Sequence, residues 1–147
     1  MKGKLLTLLV VAVLGTSLAM SSGWAQVDLA KALVGKWEGE ITWAGSAGGA
    51  TGDPNRTLII ESVTQKDGKW VGTGRFGITG KGLGKVDIEV DDSGSRPFIR
   101  IVIPTSTVRL SLVGPKELTG TTTMHGLPPS ATARGANERP LSLQKKD

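Results

Sequence analysis

From residue 36 onward, apolar side chains alternate with polar ones along short segments, the period of a strand with one face buried and the other in water. Over 36–44, Trp37, Gly39, Ile41 and Trp43 alternate with Glu38, Glu40 and Thr42, and over 85–90, Val86, Ile88 and Val90 alternate with Asp87 and Glu89. Strands of the same kind are predicted over 56–65, 69–76, 98–103, 107–113, 118–124 and 139–145, divided by clusters of Gly, Pro, Asp and Ser. Eight antiparallel segments joined mostly by short turns predict an all-β up-and-down meander. A sheet of that size can close into a barrel and leave no edge exposed. A short helical turn over 29–33, capped by Asp28 and ended by Gly35, is expected ahead of the first strand.

The turns carry register expectations. Lys66-Asp67-Gly68 is expected to form a type I turn with a G1 bulge, because a two-residue Asp-Gly turn would carry Glu61 into the core. A four-residue link between the fifth and sixth strands sets Ile103 opposite Val108, Ile101 opposite Leu110 and Ile99 opposite Leu112. Arg100 and Arg109 then fall together on the outer face. The stretches 45–55, 77–84 and 127–137 read as loops.

Ahead of this pattern, Lys2 and Lys4 precede an apolar run over 5–19 that turns small and polar at Ser21, Ser22 and Gly23. That is the form of a secretory signal peptide, and the run is shorter than the roughly 20 residues of a membrane-spanning helix. Cleavage is expected after Ala25, with the region of Ala19 as the other option, leaving a single domain over 26–147 that is periplasmic or secreted. There is no cysteine, so neither a disulfide nor a thiol-linked lipid is available, and stability must come from the core. Removing Lys2 and Lys4 takes the 18 basic residues to 16 against 13 acidic ones, a net charge of +3. The basic residues are interspersed with acidic ones and Tyr is absent, which argues against a phosphate-tracking stripe or a base-stacking platform. Strands this short, without aromatic girdles, also argue against an outer-membrane barrel.

The mature chain opens with a helical turn followed by Gly35-Lys36-Trp37 on the first strand, and this resembles the Gly-x-Trp opening of lipocalin-like (calycin) barrels. The resemblance implies that Trp37 closes one end of the barrel and that a basic residue of the last strand lies across it. If the first and last strands pair antiparallel, that residue is Lys145, which shares parity with Leu141 and Leu143, while Arg139 falls at the other end.

Catalytic chemistry has little to work with. His125, the single histidine, sits at a strand end and reads as a solvated or hydrogen-bonded turn residue. One histidine and no cysteine exclude a zinc site of the usual kind. Asp91 and Asp92 read as a wet hairpin tip, and Glu38, Glu40, Glu61 and Glu89 fall on outward faces. The run 80–85 lacks the Ser or Thr and the following helix of a phosphate loop. No enzyme, cofactor or metal is therefore expected.

Gly39, Gly72, Gly74 and Gly120 share parity with Trp37, Trp70 and Met124. Glycine inside a strand marks sharp coiling or a close approach. Either these glycines let a narrow barrel bend around its tryptophans, the favoured option, or they leave a hollow. The leading functional expectation is a barrel that binds a small apolar or amphipathic molecule, with Trp43, Trp70, Phe76, Ile101, Leu110 and Met124 as walls. The alternative is a protein-binding module, an exported inhibitor or envelope component, acting through the loops 45–55 and 127–137.

Overall fold

The computed structural model describes residues 26–42, 53–126 and 138–147. The expected signal peptide, Trp43 and most of the two loops just named lie outside the described residues. Helix α1 spans Gln26–Leu33, three residues longer at its start than expected, so Asp28 lies in its first turn and does not cap it. There the carboxylate still complements the positive end of the helix dipole.

Eight strands follow: β1 Gly35–Ile41, β2 Asn55–Lys66, β3 Lys69–Ile78, β4 Gly84–Asp91, β5 Phe98–Ile103, β6 Ser106–Gly114, β7 Glu117–Met124 and β8 Glu138–Lys146. Each pairs antiparallel with the next, and β8 pairs with β1, giving a closed up-and-down barrel. The inward positions are those the alternation predicts: Trp37 and Ile41, Leu58 and Ile60, Val86, Ile88 and Val90, Ile99 and Ile101, Leu141 and Leu143 are all buried. They form one core, which Leu29 and Leu33 of α1 join. Burying this surface is the main favourable contribution to folding.

Two register expectations are corrected. The β2–β3 hairpin turns through Asp67 and Gly68 alone, both with left-handed φ (52° and 74°), and Lys66 pairs with Lys69. This is the two-residue turn whose twist suits a hairpin. Glu61 stays exposed because the irregularity lies within β2, where the register shifts between Ile60 and Ser62. The bulge at Glu61 switches inward parity from Leu58 and Ile60 to Val63. The second correction is at β5–β6, where Pro104-Thr105 is a two-residue link and Ile103 pairs with Ser106, Ile101 with Val108 and Ile99 with Leu110. The slide of two residues relative to the expected pairing leaves every side chain on its face. It also sets Arg100 directly opposite Arg109 on the outside.

The glycine stripe marks backbone contact. A Cβ on Gly39 would stand 1.8 Å from Ser142 O, one on Gly120 1.9 Å from Arg109 O, and those on Gly74 and Gly72 2.2 Å from Ile59 O and 2.5 Å from Ser62 O. Neighbouring backbone occupies the space that side chains would need, so at these four positions the glycines serve tight coiling and do not open a hollow.

Candidate functional site: a sealed base and a polar mouth

The two ends of the barrel differ. At the base, α1 delivers Leu29 and Leu33 beneath Trp37, and all three have no surface reachable by water. Trp37 Nε1 donates to Leu33 O at 2.9 Å, which satisfies one of the carbonyls that a helix leaves unpaired at its C-terminus. Lys145 is the register partner of Trp37 across the β1–β8 seam. Its Nζ lies 5.3 Å from the centroid of the indole ring and donates to Lys31 O at 3.0 Å and Ala32 O at 2.9 Å. One ammonium thus caps the helix, complements its negative end and lies over an aromatic face. Partial burial, with Lys116 nearby, pulls its pKa below the ordinary lysine value. Gly35 makes the crossing possible: its φ is +139°, and a Cβ there would stand 2.8 Å from Lys145 Cε. Gly35, Trp37 and Lys145 therefore meet at one place, and that place is packed shut.

The expected wall residues do not converge. Trp70 lies toward the base, paired with Gln65 and Val90, its Nε1 donating to Asp92 Oδ2 at 2.8 Å. Ile101 and Leu110 are 0% exposed, so they border no space large enough for a water molecule and belong to the packed interior. Phe76 and Met124 lie toward the opposite end. Phe76 is buried and pairs with Leu58 and Gly84, and Met124 is half-buried opposite Ser106. Trp43 is outside the described residues.

That opposite end, the mouth, is where β1 finishes and where the links β3–β4, β5–β6 and β7–β8 lie. Register places Arg56 on the inner face, opposite inward Gly39 and Ile78. On β8, Arg139 lies two residues before inward Leu141 and opposite Thr122. Ile78, Ile103 and Met124, all half-buried, and Ser106, buried, share the inner face at this level. Arg56 Nη1 donates to Asp53 O and, at 2.9 Å, to Asn55 O. Burial pulls its pKa below the usual arginine value, with Asp53 opposing, and the guanidinium stays charged. Thr122 is 3% exposed and its Oγ1 has no hydrogen-bond partner. A buried hydroxyl left so costs free energy, which makes it informative.

These mouth arginines are the feature that sequence reasoning missed for a binding role. The signal was present: Arg56 shares parity with Leu58 and Ile60, and Arg139 with Leu141 and Leu143.

The other candidates are accounted for by local structure. His125 is exposed, and its Nε2 lies 2.8 Å from Thr107 Oγ1. Asp91 Oδ1 accepts from Ser93 N at 2.9 Å and Ser93 Oγ at 2.6 Å, which holds its carboxyl below the usual aspartate value. On the outer wall Glu38 pairs with Lys36, Glu61 with Arg75 and Glu89 with Arg100. Among the described residues no group of acidic and histidine side chains is arranged to hold a metal ion, and no helix is long and apolar enough to cross a membrane.

Comparison with protein-family models, with curated proteins and with solved structures finds no match for this chain.

Proposed function

We propose that the protein is an exported, non-catalytic, lipocalin-like barrel that binds a small amphipathic molecule at its mouth. The observation that carries this reading is the asymmetry of the interior. One end is packed shut by α1, Trp37 and Lys145, while the inner face at the other end mixes half-buried apolar side chains (Ile78, Ile103, Met124) with polar ones (Arg56, Thr122, Arg139). A site that takes a small molecule has this composition: mostly apolar walls with a few placed polar groups that fix orientation. The packed lower core, in which Leu58, Ile101 and Leu110 are 0% exposed, favours a ligand held at the mouth over one held deep inside.

Native mass spectrometry of the protein purified from its own host, together with titration by an environment-sensitive apolar dye, tests the proposal. Saturable binding of one dye per barrel is expected, weakened at least threefold by Met124→Asp and unchanged by Val71→Asp on the outer wall. Absence of saturable dye binding together with absence of any co-purifying mass would overturn it.

A further inference from the structure

We infer that a cleft outside the sealed base, between α1 and the β6–β7 turn, is a second binding site that takes a small amphiphile with an oxyanion head. It is separate from the mouth and stands whether or not the mouth holds a ligand. The cleft has a volume of about 840 Å³, within the range of small-molecule sites, and one of its walls is the face of α1 that carries Asp28, Lys31 and Ala32. Residues three and four apart on a helix share a face, so Leu29 and Leu33 seal the barrel while this other face borders the cleft. Hydrogen bonds hold the remaining walls together. Lys145 N donates to Lys116 O at 2.9 Å, and Leu112 N donates to Pro97 O at 3.0 Å, which brings the backbone next to Arg96 against the end of β6. Lys145 Nζ ties β8 to α1 through Lys31 O and Ala32 O.

Charge decides what the cleft takes. Five cationic side chains line it, Lys31, Arg96, Lys116, Lys145 and Lys146, against two carboxylates, Asp28 and Asp147, an excess of three positive side chains. Asp147 is already paired with Lys116, and Lys146 acts on Glu38 of β1. The side chains of Lys31 and Arg96 are exposed and, among the described residues, make no hydrogen bond or ion pair. Like charges gathered around a low-dielectric concavity raise its potential and concentrate anions there. Between the cations the lining is apolar, with Ala32, Leu112, Val113 and Pro115. An anionic head and an apolar body are the two parts that such a cleft complements, and a concavity suits one molecule held singly where a flat bilayer surface would not enter.

The test titrates decyl sulfate, decyltrimethylammonium and sodium sulfate, the first two below their micelle-forming concentrations, into protein expressed from the full chain, and follows backbone amide shifts by nuclear magnetic resonance. Decyl sulfate is expected to move the amides of Ala32, Val113, Lys116 and Lys146 saturably, at least tenfold more tightly than decyltrimethylammonium or sodium sulfate does. The double substitution Lys31→Glu with Arg96→Glu is expected to weaken decyl sulfate at these amides at least tenfold and to leave the dye titration of the mouth unchanged. If the double variant does not fold, Arg96→Gln alone decides, with at least a threefold loss expected. Decyltrimethylammonium binding as tightly as decyl sulfate would overturn the anionic head, and sodium sulfate binding as tightly would overturn the amphiphile class. Unaltered affinity in the charge-reversed variant would overturn the site itself. So would decyl sulfate shifts that are absent from the base, whether or not Ile78, Ile103 and Met124 move, and the dye titration judges the mouth separately.

Discussion

At Gly39 a methyl group would stand 1.8 Å from Ser142 O and 2.9 Å from Leu143 Cα, and both obstacles are backbone of the neighbouring strand. Neither can move without shifting the β1–β8 seam on which the contact between Lys145 and Trp37 depends. Gly39→Ala is therefore expected to destabilise the barrel by about 1–3 kcal/mol or more, the range of overpacking in a filled interior. Gly82→Ala is the matched control: nothing lies within 4 Å of the Cβ it would add, and its effect should stay within about 0.5 kcal/mol, as at other surface positions. Urea unfolding of the two variants measures the difference. Equal stabilities would mean that the seam is looser than these contacts require. The same residue-scale logic separates the two kinds of inward-facing cation. Lys145 is satisfied by the carbonyls of Lys31 and Ala32 and by the Trp37 ring, so it serves the fold. Arg56 has donors to spare.

The element that departs most from a regular strand is β2, which buries Leu58 and Ile60 on one parity and Val63 on the other. The extra residue is Glu61, and it accepts a hydrogen bond at 2.8 Å from Arg75 Nε on the outer wall. Deleting Glu61 would leave Ile60 opposite Gly74 and Ser62 opposite Thr73, as they already are, so every other side chain would keep its face. Deleting Ser111 from the middle of β6, which has no such irregularity between Ser106 and Leu112, would turn Leu110 or Leu112 outward. The Glu61 deletion is accordingly expected to keep a native near-ultraviolet circular dichroism spectrum and cooperative unfolding at a lower midpoint, and the Ser111 deletion to lose both. A Glu61 deletion that fails to fold would show that the bend supplied by the bulge is needed to close the barrel. The parity switch was visible in the sequence as Leu58 and Ile60 against Val63 around an intervening glutamate. Treating β2 as even along its length hides the switch. That assumption forces a choice between the Asp-Gly turn and an outward Glu61, whereas the bulge permits both.

Over the whole molecule, closure removes the exposed strand edges that invite aggregation, and the acidic side chains of the described strands all lie on the outer wall. Four carboxylates, Asp91 and Asp147 exposed and Glu38 and Asp53 half-buried, sit below their ordinary pKa: Glu38 through its hydrogen bond with Lys36, Asp53 through Asn55, Asp91 through Ser93 and Asp147 through Lys116. A carboxylate depressed in the folded state adds stability that is fully present above its unfolded value, 3.8 for Asp and 4.5 for Glu. That stability is lost as pH falls through the folded value. The urea midpoint is therefore expected to be flat from pH 7 to about pH 5 and to fall below about pH 4. A midpoint that rose on acidification would mean that like-charge repulsion among these groups outweighs their hydrogen bonds.

The alternation of side chains, with the short turns between segments, determined the number of strands, which residues face inward and the up-and-down order, while the expectation that Trp37 meets Lys145 rests on the resemblance of the Gly35-Lys36-Trp37 opening to lipocalin-like barrels. Alternation has this reach because a strand sorts its side chains by position parity, a property of the local backbone. Only the tertiary structure decided the β5–β6 offset, the tight approach of Ser142 to Gly39 and the separation of Trp70 from Met124. Those depend on how far each strand slides against its neighbour and on how closely the closed sheet brings neighbouring backbones together. A slide of two residues leaves the alternation of faces unchanged, so the pattern of faces carries no record of it.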